Sequence, residues 1–74
     1  MSDRLGRIFK ESFDVDRLED SMAIDNIEGW DSMAHVGLMT ALEREFHISI
    51  SPIDAINMTS VLSIKQYLSE HGVE

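Results

Sequence analysis

In the run Gly29-Trp30-Asp31-Ser32-Met33-Ala34-His35-Val36-Gly37-Leu38-Met39-Thr40-Ala41-Leu42-Glu43-Arg44-Glu45-Phe46 a polar segment ends and a helical pattern begins. Val36, Met39, Leu42 and Phe46 recur at the three- and four-residue spacing of one helix face, with Leu38 beside them. Asp31 is a residue type that caps a helix N-terminus. The pattern therefore predicts a helix over about 32–46, a rod of roughly 22 Å and long enough to be the spine of a bundle.

The flanking segments supply its partners. Leu5, Ile8, Phe9 and Phe13 make one stripe, which predicts a helix over about 3–13. Ser51-Pro52 reads as a cap followed by a first-turn proline, opening a short helix over about 52–57. Thr59 or Ser60 caps a last helix over about 60–71, with Val61, Ile64 and Leu68 inward, Tyr67 at the edge and Gly72 as its stop. No segment alternates long enough to form a sheet. The expected fold is all-α: a four-helix bundle with a short third helix and a long loop between helices 1 and 2.

That loop, residues 14–31, has no clear period. Val15, Leu18, Met22, Ile24 and Ile27 are scattered among acids and are expected to pack over the bundle, with one helical turn near residues 16–20. Trp30, at its end, either anchors it to the bundle or offers a face to a partner; anchoring is expected, because a buried indole brings a large apolar area.

The chain has 74 residues, which fits one small domain over 1–74. It has no cysteine, so any thiol chemistry needs an imported thiol. No run approaches the roughly 20 apolar residues of a membrane span. No apolar signal-type run follows Met1-Ser2-Asp3-Arg4, so a cytoplasmic protein without membrane insertion is expected. The net charge of −8 is uneven. Residues 14–31 hold Asp14, Asp16, Glu19, Asp20, Asp25, Glu28 and Asp31 against Arg17 alone. Such a segment repels nucleic acid and favours basic protein partners.

Ser32 is the candidate functional residue. Behind the Asp31 cap it places a hydroxyl on the first turn of a helix, beside N–H groups without intrahelical partners, where a phosphate ester is well accommodated. Asp31, Ser32 and His35 do not make a hydrolytic triad, since they lie within five residues and lack an oriented base from elsewhere. His35, His47 and His71 show no metal-ligand spacing. His35 lies one turn beyond Ser32. It borders a pocket mouth, touches a group carried on Ser32, or is a partly exposed helix residue.

Asp31-Ser32-Met33, Ala41-Leu42-Glu43, Glu45-Phe46, Ile48 and Ile50 resemble the second helix and following loop of acyl carrier proteins. Thr59-Ser60-Val61, Ile64, Tyr67 and Leu68 resemble their last helix, so the likeness spans most of residues 5–71. It implies a carrier rather than an enzyme. It implies a 4'-phosphopantetheine arm, taken from coenzyme A, on Ser32, and acyl cargo held on it as thioesters. Asp31 would sit beside the attachment site and help the modifying enzyme hold its metal. The implied partners are a phosphopantetheinyl transferase, an acyl-loading ligase or acyltransferase, and synthase enzymes, acting on a monomer. An aminoacyl or peptidyl carrier and an unmodified docking module are the alternatives.

Carriers of the fatty-acid-synthase type usually bear acids along the exposed side of the second helix. Here Ala34 and Gly37 stand where acids are common, Arg44 interrupts an acidic run, and Pro52-Ile53 replace acids on the third helix. Met33, Gly37, Thr40 and Arg44 would make a mixed partner face, with Glu28 and Asp25 of the loop drawing basic partners. This departure implies a specialised pathway of polyketide, peptide or modified-lipid synthesis.

Overall fold

The computed structural model describes residues 3–73; Met1, Ser2 and Glu74 of the expected 1–74 domain lie outside them. Four helices follow in order: α1 (Asp3–Phe13), α2 (Ser32–Phe46), α3 (Pro52–Asn57) and α4 (Val61–Glu70). The molecule is an all-α bundle. Among the described residues the sole extended pairing is an isolated antiparallel bridge between Ala23 and Ser60.

One core joins the helices. Leu5, Ile8 and Phe9 of α1 meet Leu38, Met39, Leu42 and Phe46 of α2 and Val61, Ile64, Tyr67 and Leu68 of α4, with Met58 and Trp30 closing the ends. Removing these apolar surfaces from water is the main stabilising contribution, since no disulfide assists.

The N-terminal end of α1 is fixed to the C-terminal end of α2 by charge. Arg4 Nε donates to Glu45 Oε2 at 2.9 Å and Arg7 Nη2 to Glu45 Oε1 at 3.3 Å, while the Arg4 guanidinium lies 4.5 Å from the centre of the Phe46 ring. Hydrogen bonding by Arg4 holds the Glu45 carboxyl below its ordinary value.

Each helix end has a local cause. The left-handed His47 ends α2, its N–H returning to the Glu43 carbonyl. Ser51 caps α3 and Pro52 occupies its first position. Ser60 rather than Thr59 caps α4, in a reciprocal box with Ser63. Past α4, Gly72 takes a φ of +72°, which a side chain would resist, and Val73 N–H returns to the Leu68 carbonyl.

The long loop departs from expectation in one respect: residues 16–20 form no helical turn. The acids there are drawn to opposite helices instead. Asp14 and Asp16 share the Lys10 ammonium at 3.0 and 2.9 Å, and Asp20 receives Lys65 of α4 at 2.7 Å. Beyond Asp20, Ile24 N–H donates to the Thr59 carbonyl at 2.9 Å and Val61 N–H to the Met22 carbonyl at 2.8 Å, so the loop runs beside the start of α4. Val15, Leu18, Met22, Ile24 and Ile27 pack half-buried on the core, as their apolar character requires.

The inner face of α2 also differs from the one expected. Val36 is 67% exposed, and the inward stripe is His35, Leu38, Met39, Leu42 and Phe46. His35 is half-buried in the place assigned to Val36 because both of its ring nitrogens have partners there.

Candidate functional site

The site is the junction of the loop, α2 and α3. Trp30 ends the loop and is buried, with its ring 5.4 Å from those of both Phe9 and Phe13. The tryptophan therefore anchors the loop, and the exposed Asp31 and Ser32 follow from a fixed point.

Asp31 is the N-cap of α2. Its extended backbone lets the carboxylate accept the Ala34 N–H at 2.9 Å, and its carbonyl accepts the His35 N–H at 2.8 Å. This leaves the N–H groups of Ser32 and Met33 outside the helix ladder. Ser32 is the first residue of α2 and its side chain is exposed. The hydroxyl is thus held at the positive end of a helix of 15 residues, clear of the core. An ester of a phosphate fits this position. The charge of the Asp31 carboxylate is turned onto the helix backbone, and the first-turn amides favour an anion.

His35 stands one turn further on. Its Nδ1 lies 3.0 Å from Trp30 Nε1, and its Nε2 lies 2.7 Å from the Ala55 carbonyl of α3. The imidazole and indole rings are nearly parallel, 19° apart with centroids separated by 6.1 Å, and meet edge to edge across the Nδ1–Nε1 contact. His35 is the partly exposed helix residue of the last expectation, and its ring bridges three segments besides.

The proposed partner-facing residues are all exposed: Met33, Gly37, Thr40 and Arg44 follow one face of α2, and Asp25 and Glu28 lie in the loop before it. Gly37, Thr40 and Arg44 line a shallow groove between α1 and α2 with Ile8, Glu11, Ala41 and Glu45. Met33 is not part of that groove; it is 85% exposed beside Ser32. Asp25 and Glu28 are exposed in the loop. Sequence reasoning missed three residues here. Val36 belongs to the stripe expected inward, Ile53 is expected only as a departure from an acidic third helix, and Ile56 carries no expectation, yet the isoleucines are 72% and 70% exposed. Their signal was the length of α3: six residues cannot turn all their apolar side chains inward.

Among the described residues no helix is long and apolar enough to cross a membrane.

Comparison with known proteins agrees with this geometry. Residues 3–68 match the family described as the phosphopantetheine attachment site. The fold is similar to that of a Mycobacterium tuberculosis protein described as an acyl carrier protein, with a TM-score of 0.80 and 26% identity, covering 90% of this chain and 92% of that one. With its four helices and a match running through nearly all of them, the chain belongs to the acyl carrier family, whose domains bind a 4'-phosphopantetheine group and carry rather than catalyse.

Proposed function

We propose that Ser32 is the residue to which the arm is joined, and that the protein presents acyl intermediates to the enzymes of a specialised pathway. The observation that carries this reading is the exposed Ser32 hydroxyl on the first turn of α2, inside the matched region. When bound, the arm supplies the thiol that this chain lacks and holds acyl groups as thioesters.

The chain's own part is positional. Trp30 fixes the approach to Ser32, Asp31 caps the first turn, and the amides of Ser32 and Met33 stay outside the ladder, where they would favour a phosphate ester. A tether of this kind raises the effective concentration of cargo at each partner, so the bundle itself makes and breaks no bonds.

The specialised pathway is supported by the exposed side of α2, where Met33, Val36, Gly37, Thr40 and Arg44 stand in place of an acidic row. Asp25 and Glu28, exposed in the loop before Ser32, suit a basic face on the transferase. The single core of the described residues supports one carrier domain over 1–74.

Tandem mass spectrometry of the modified protein tests the attachment residue. Trypsin releases residues 18–44 as one peptide, which holds Ser21, Ser32 and Thr40. The added group is expected on Ser32; its presence on Ser21 or Thr40 contradicts the assignment. Loading with fatty acyl, malonyl and aminoacyl donors then ranks the cargo, and preferential aminoacyl loading contradicts acyl carriage.

A further inference from the structure

His35 has partners that leave it one protonation state. The Trp30 indole N–H can only donate and the Ala55 carbonyl can only accept. The 3.0 Å contact therefore requires a bare Nδ1, and the 2.7 Å contact requires the proton on Nε2. The imidazole is neutral, in a single tautomer, and fully engaged.

The three segments it joins need such a link to differing degrees. Trp30 is already held by Phe9 and Phe13. The third helix is not comparably held. It has six residues, buries none of them fully and turns Ile53 and Ile56 to solvent. A helix this short has little stability of its own. It is attached through the half-buried Ala55, the buried Met58 at its end, the Asp54 carboxylate beside the Tyr67 hydroxyl of α4, and the His35 bond.

We propose that His35 is a positioning residue that locks Trp30, the first turn of α2 and α3 into one unit. Ser32 then stands on a fixed first turn, beside the exposed Met33 and Val36 of α2, and the exposed Ile53 and Ile56 belong to the α3 that His35 holds. The proposal rests on the reading of Ser32 as the attachment residue, and deepens it. His35 touches neither the arm nor the modifying enzyme in this role; it acts through the elements it holds.

The test compares the wild-type apo protein with His35→Phe and His35→Gln. Phenylalanine keeps a flat ring against Trp30 and removes both hydrogen bonds. Glutamine can accept from the indole through its carbonyl and donate to Ala55 through its amide. The chain has one tryptophan, so one indole N–H signal in a nitrogen–proton spectrum reports the lock. In His35→Phe that proton is expected to exchange about tenfold faster, as loss of one hydrogen bond allows. The transferase KM for the apo protein is expected to rise severalfold with kcat held within about twofold, since docking rather than chemistry is disturbed. His35→Gln is expected to recover both values toward wild type.

Unchanged exchange and KM in His35→Phe overturn the proposal, as does a His35→Gln protein no better than His35→Phe. The nitrogen shifts of the wild-type imidazole do not depend on any variant folding: a protonated Nδ1 at neutral pH, or a mixture of tautomers, also overturns it. A wild-type protein that is not modified at all defeats the attachment reading itself. That is distinct from a modified protein whose KM ignores His35.

Discussion

The Glu43 carboxylate accepts the backbone N–H of Ile50 at 2.8 Å, closing the link between α2 and α3 from seven residues away. Glu43 is half-buried there, so its charge serves the fold rather than a partner. Removing the acceptor leaves that N–H poorly satisfied, and Glu43→Ala is expected to cost about 1–2 kcal/mol in urea denaturation. A loss below about 0.5 kcal/mol, the usual range for a surface change, contradicts this role.

The loop acids behave differently. Asp25 and Glu28 are exposed before Ser32, and reversing either charge is expected to change stability by no more than about 0.5 kcal/mol. The same reversals are expected to slow association with a transferase, most strongly at low salt. Glu70, exposed at the end of α4, is a suitable control, because Glu43 reversal also perturbs the fold. Equal effects at Glu70 and at Asp25 or Glu28 contradict local recognition by the loop.

Apolar docking beside Ser32 is tested at Val36, Ile53 and Ile56. All three are exposed, so replacement by Asp leaves the melting temperature nearly unchanged. Transferase or acyl-loading KM is expected to rise by about tenfold when two are replaced together, the loss of roughly 1.4 kcal/mol of apolar contact. A destabilised but normally docking variant contradicts this prediction.

Much of the fold was legible because its signals are local. The bounds of α2 and α3 follow from Asp31, Ser51 and Pro52, which act on backbone groups within one turn. The exposure of Ser32 follows from its place outside the inward stripe. Two features depended on partners distant in sequence. The pairing of Ala23 with Ser60 is a consequence of how the loop crosses the bundle, and no spacing within residues 14–31 encodes it. The exchange of Val36 for His35 on the inner face reversed the hydropathy order, because an imidazole with a donor on one side and an acceptor on the other costs little to bury. Neither Trp30 nor Ala55 could be placed against His35 before the chain was folded.

The Glu45 clamp gives a pH dependence with a definite sign. Arg4 holds the folded carboxyl below its ordinary value, so the folded state favours the ionised form. The contribution is fully present above about pH 4.3, the unperturbed glutamate value, and is lost as pH falls through the lower folded value. Glu45→Gln is therefore expected to melt slightly below wild type at pH 7, and the gap should close in acid. The pair is partly exposed, so the difference is small. A gap that widens in acid contradicts the assignment.

The central claim is that Ser32 bears the arm. Its most direct test is the intact mass of the apo protein after incubation with coenzyme A and a broad-specificity phosphopantetheinyl transferase, beside a folded Ser32→Ala variant. A gain of one phosphopantetheine in the wild type and none in the variant is the expected result. No gain in a folded wild-type protein, or an equal gain in Ser32→Ala, contradicts it.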